Sequence, residues 1–173
     1  MELNMTTTFV LSIAVALLSF LVAAYFYVWV KKCPSSNEKI KVIGQLIAKG
    51  ANTFLRREYA VLARFVAVAA VLIVVFLPSP IWLGNAAENI KMALAYIAGA
   101  VISALAGKIG IVTATKANVK SAEAAVKDIR HSFLSGFRGG AVMGMAVVGA
   151  SLLGVTLVYM LTKDSSAVLG FSF

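Results

Sequence analysis

The side chains able to do chemistry are few and scattered. The single histidine, His131, has no His, Cys or carboxylate at the spacing of an HExxH metal site. One histidine and a handful of loop acids also single out no Ser-His-Asp set. The single cysteine, Cys33, cannot form an internal disulfide and lacks a zinc ligand set, so it reads as an idle thiol beside a membrane boundary. The glycine-rich run Gly136–Gly144 lacks the Gly-Lys-Ser/Thr ending with which a P-loop grips phosphate and magnesium. Glu58 is accounted for by pairing with Arg57 or with a neighbouring helix. Carboxylates within apolar segments would mark an ion path, and the long apolar segments of this chain contain none. No catalytic, cofactor-binding or metal-binding residue can be named from these types and spacings.

Composition sets the elements that must carry these residues. The chain is 61% hydrophobic and 13% charged, with a mean hydropathy of +0.92. Soluble domains carry roughly 45–50% apolar and about 25% charged residues. Water is therefore not the main solvent, which excludes a soluble enzyme, a disordered tail and a disulfide-rich secreted module. Sixteen Lys and Arg stand against seven Asp and Glu, a formal +9. In a soluble protein that balance points to nucleic acid, but no basic stretch here is interleaved with aromatics for base stacking. A membrane protein with basic cytoplasmic loops explains the excess better.

The expected fold is all-α and polytopic. Phe9 to Val30 is 22 residues without a charge, roughly 33 Å of helix against a hydrocarbon core of about 30 Å. A signal peptide is disfavoured because only Glu2 is charged before it, and Lys31-Lys32 follow as a stop. Further crossings are expected over about 59–77, 92–115 and 139–162, the second ending at Pro78-Ser79-Pro80. Arg64 and Lys108 are the only charges within them. The apolar run from Ala167 to Phe173 reads as the start of a truncated fifth helix, because a crossing needs about 20 residues. The whole of 1–173 is then one transmembrane helical region, part of a longer chain.

The loops between crossings one and two and between three and four hold 12 of the 16 basic residues, from Lys31 to Arg57 and from Lys116 to Arg138. By the positive-inside rule those loops are cytoplasmic and the N-terminus is outside. Ile43, Leu46, Ile47, Ala51 and Phe54 recur at helical spacing, so the second helix should begin near Ile40. A stripe from Ile111 to Ile129 carries the third helix on past its crossing. Lys120, Glu123 and Lys127 offer helix-spaced charge pairs on the other face. Gly136, Gly140 and Gly144 form a small-residue ladder expected to let the fourth helix pack closely.

Four segments carry a resemblance, three of them on the expected cytoplasmic ends of helices. Gly50-Ala-Asn-Thr-Phe-Leu-Arg-Arg-Glu-Tyr59 opens the second crossing, and Ala114-Thr-Lys-Ala-Asn-Val-Lys-Ser-Ala-Glu-Ala-Ala125 ends the third helix. Gly136-Phe-Arg-Gly-Gly-Ala-Val-Met-Gly144 opens the fourth, and Gly170-Phe-Ser-Phe173 follows at the fifth. In order and in position this pattern resembles the membrane-embedded, ion-pumping pyrophosphatases. The resemblance implies a homodimeric plasma-membrane pump of about sixteen helices per subunit, coupling pyrophosphate hydrolysis to outward transport of H+ or Na+. It implies Mg2+ as a cofactor and leaves K+ open. It also implies that these residues are the N-terminal, outer-ring helices, inactive by themselves, and it carries no site residue onto any position here. The alternatives from other classes are a complete four-helix membrane scaffold and a subunit of a larger transporter. No nucleic-acid partner is expected under any of them.

Overall fold

The computed structural model describes residues 4–33, 37–84 and 86–173, so Glu2 lies outside it. Five helices account for the described residues, in the order α1 (Met5–Lys32), α2 (Glu38–Phe76), α3 (Ala86–Ala125), α4 (Ile129–Thr162) and α5 (Ser165–Ser172). The first four are long and apolar enough to cross a membrane. Their lengths of 28, 39, 40 and 34 residues correspond to roughly 42–60 Å of helix. A core of about 30 Å cannot contain α2 or α3 even at a tilt of about 40°. Both must extend beyond the hydrocarbon, as the spacing near the start of α2 implied; the stripe expected to carry α3 on to Ile129 stops short, because α3 ends at Ala125 and Ile129 opens α4.

Contacts group the chain into two units, each drawing on all four long helices. One comprises Met1–Ala16, Glu58–Ala104 and Ala150–Phe173. Its apolar centre is Ala70 and Ile73 of α2 against Met92, Ala93 and Tyr96 of α3. The Tyr59 hydroxyl ties the same two helices together by donating to the Ala104 carbonyl at 2.6 Å. In this unit the α2–α3 turn shows how proline shapes the local hydrogen bonding. A helical Val74 carbonyl would accept from the residue four positions on, but that residue is Pro78, which has no N–H. The Asn89 amide supplies the missing donor, reaching Val74 O at 2.9 Å and Ser79 O at 2.8 Å from a fully buried position.

In the same unit, Lys163 stops α4 with a left-handed φ of 50°. Asp164 then caps α5 by accepting from the Ser166 amide at 2.8 Å. The short helix begins at Ser165, two residues before the expected start, and folds back on its neighbours. A Cβ at Gly170 would strike the Met92 carbonyl, and one at Gly99 would strike the Phe171 backbone. One at Gly154 would enter the Phe171 ring. Glycine at three positions on three helices is what admits α5.

The second unit comprises Leu17–Arg57 and Leu105–Gly149. Here close packing falls on Gly139 against Ala117, Gly110 against Met143, and Gly44 against Val119. The expected ladder on α4 takes no close neighbour within this chain. Gly140 and Gly144 are exposed and a side chain there would meet nothing, while Gly136 reaches only the Ser121 hydroxyl, at ordinary contact distance. Neighbouring helix positions are about 100° apart, so the packed face runs through Gly139 rather than through the every-fourth-residue glycines.

Candidate functional site

The described residues with chemistry to offer converge on one region of the second unit, where α1 ends and α2 and α4 begin. Two connections there are capped. Asn37 accepts from the amides of Lys39 (3.1 Å) and Ile40 (3.3 Å) through its side-chain oxygen. Its own amide donates to Glu123 Oε1 of α3 at 3.1 Å. A carboxylate at that place suits the positive end of the α2 dipole. Asp128 performs the same task for α4, taking the Arg130 amide at 2.9 Å on one oxygen and His131 Nδ1 at 2.7 Å on the other.

The side-chain bond to His131, reinforced by the Arg130 amide, holds the Asp128 carboxyl below the usual carboxylate range. A lowered value means that the capping contribution is complete above that range and is lost as pH falls through it. Asp128→Ala is therefore expected to speed amide exchange at Arg130 and His131 at neutral pH. Asp128→Asn, which keeps an accepting oxygen, is expected to preserve protection there without the acid-dependent loss. Equal exchange rates in all three proteins at neutral pH would remove this assignment. His131 is thus an exposed residue partnered by Asp128.

Cations from α3 and α4 clasp the end of α1. Lys116 Nζ donates to the Tyr27 hydroxyl at 3.0 Å and lies 5.2 Å from the centre of that ring. Lys120 Nζ donates to the Cys33 carbonyl just past the last turn, where a positive charge also favours the negative helix end. The Arg138 guanidinium sits 4.0 Å from the centre of the Trp29 ring and 5.9 Å from that of Phe26. Each cation–π contact is worth about 0.5–2 kcal/mol, depending on desolvation. Lys116 and Arg138, counted in the sequence as loop charge, and Lys120, expected beside Glu123, are interhelix ties. Cys33 itself contacts the Trp29 carbonyl through sulfur at 3.5 Å.

A groove of about 250 Å³ opens between α2 and α3, with Lys41, Lys116 and Lys120 on its walls beside Gln45 and Thr115. Its floor is made where Gly44 admits the Val119 side chain. Glu58 is exposed and makes no ion pair among the described residues, so the pairing expected for it is not found. Among the described residues no three His, Cys, Asp or Glu side chains come close enough to hold a metal ion.

The sequence model described as inorganic H+ pyrophosphatase matches residues 17–173. A K(+)-insensitive pyrophosphate-energized proton pump from Methanosarcina mazei is 36% identical over 157 residues, covering 91% of this chain and 22% of the relative. A K(+)-stimulated pyrophosphate-energized sodium pump from Thermotoga maritima is 38% identical over 141 residues, covering 80% of this chain and 18% of the relative. A K(+)-insensitive proton pump from Pyrobaculum aerophilum is 33% identical over 163 residues, with 94% and 22% covered. The chain spans about a fifth of the length of these relatives.

Proposed function

Because this chain belongs to the inorganic H+ pyrophosphatase family, we propose that its residues form the outer helical scaffold of a pump that couples pyrophosphate hydrolysis to outward transport of H+ or Na+. The observation that carries this reading is the family match over nearly the whole chain, from residue 17 to 173. The arrangement of side chains agrees with it. Buried polar groups serve turns, the glycines serve close packing, and the cations serve α1. In the same reading the N-terminus lies outside, the plasma membrane holds the protein, and a second copy completes a homodimer. Mg2+ serves the whole pump, with K+ as a further requirement to be tested. The scaffold residues orient helices and exclude water between them. Capture of magnesium pyrophosphate is assigned to none of them.

The test uses native membranes. The polypeptide carrying these residues is captured with an antibody against the segment from Asn37 to Ala51, and pyrophosphate hydrolysis is measured with and without magnesium. Inverted vesicles from the same membranes are then assayed for pyrophosphate-driven uptake of H+ or Na+. Magnesium-dependent hydrolysis in the captured material, with ion uptake, is expected. Captured protein without hydrolysis would overturn the pump reading in favour of a scaffold with another purpose.

A further inference from the structure

We propose that the α2–α3 turn, residues 77–84, is a lipid-binding surface that seats among phospholipids at the boundary between headgroups and acyl chains. The turn joins two helices that are long and apolar enough to cross a membrane. Ile81, Trp82 and Leu83 follow one another on it, exposed by 40%, 65% and 78%. Three large apolar side chains side by side on a turn are unfavourable in water and favourable against lipid.

The turn continues the outward face of α2. Phe65, Val68, Leu72 and Phe76 recur at helical spacing and are all exposed, the stripe that a crossing helix turns to acyl chains. The Trp82 ring meets the Phe76 ring edge-on at 6.0 Å, so the indole extends that stripe past the end of the helix. Residues 65–87 hold no charge. The level of the turn follows from α3. The Asn89 amide reaches the Val74 and Ser79 carbonyls, which sets the start of α3 alongside the end of α2. Glu88 and Lys91, the first charges after the apolar run, flank Asn89 and are both exposed. An indole at the level of such charges belongs to the headgroup region of a bilayer.

The backbone of the turn is fitted to a place with little water. Pro78 and Pro80 carry no N–H. The Ile81 amide donates to the Val75 carbonyl at 2.9 Å, and those of Leu83 and Gly84 donate to the Pro80 carbonyl at 2.8 and 3.0 Å. Groups satisfied from within in this way can leave bulk water at small cost. The Trp82 indole N–H has no partner among the described residues, which leaves it to donate to an ester oxygen of the lipid.

Trp29→Phe leaves Trp82 as the only tryptophan of the chain, and its fluorescence is read in phosphatidylcholine vesicles. Lipid brominated on the upper part of the acyl chain is expected to quench it more strongly than lipid brominated near the terminal methyl. Aqueous iodide is expected to quench it little. Leu83→Asp, added at the most exposed apolar position of the turn, should weaken the bromine quenching and admit iodide while helicity is unchanged. Strong iodide quenching before that substitution would put the turn in water and overturn the proposal. Shielding from iodide and from both brominated lipids would also overturn it, because a second copy or another protein would then cover the surface. Stronger quenching by the deeper bromines, or no response to Leu83→Asp, would remove the interfacial placement.

Discussion

Asn89→Asp is expected to destabilise the chain by about 2–4 kcal/mol, the combined cost of leaving two acceptors unpaired beside a buried charge. The substitution changes almost no volume, so packing cannot be blamed. It removes both donors that the amide presents to the Val74 and Ser79 carbonyls. It also sets a carboxylate against those two oxygens at a position with no solvent exposure. The effect traces back to Pro78, whose missing N–H created the need for an outside donor. Thermal unfolding of the reconstituted chain, followed through loss of helicity, would show it. An unchanged midpoint in Asn89→Asp would mean that water satisfies the turn and that the buried amide is incidental.

The second large effect is expected at Gly170. Any side chain there enters the space of the Met92 carbonyl, a backbone atom that cannot rotate away. Forcing extra methylenes into such a contact costs about 1–3 kcal/mol when side chains alone must yield. Gly170→Leu should therefore lift α5 off α3. Amide exchange within Ser165–Ser172 should rise towards that of an isolated short helix, which has little stability of its own, while exchange in the rest of α3 changes little. Gly140→Leu serves as the matched control, since that position opens onto nothing within this chain. Retained protection of α5 in Gly170→Leu would show that its docking does not depend on the close approach.

The long helices were legible because each is announced by an uninterrupted apolar run, and the extensions of α2 and α3 because helical spacing continues past the apolar part. The expected start of α2 near Ile40 falls two residues inside the observed Glu38, where Asn37 caps the helix. What could not be read was azimuth and partnership. Gly139 and Gly140 are adjacent in sequence, yet one faces Ala117 and the other faces nothing. A spacing rule that counts glycines every fourth residue does not say which face a neighbour occupies. Arg138, Lys116 and Lys120 were readable as charge that orients loops, but their partners on α1 depend on which helices lie side by side. The Asn89 amide was hidden for a related reason: nothing local marks it as the substitute donor for a proline eleven residues earlier.

The clasp on α1 has a consequence for the order in which the protein is made. Tyr27, Trp29 and Cys33 leave the ribosome long before Lys116, Lys120 and Arg138, the groups that hold them. α1 must therefore partition into lipid as a solitary apolar cylinder, stable there by its own hydropathy, and wait through the synthesis of two further helices. The ties at the end of α1 thus form only after α2 and most of α3 have been made.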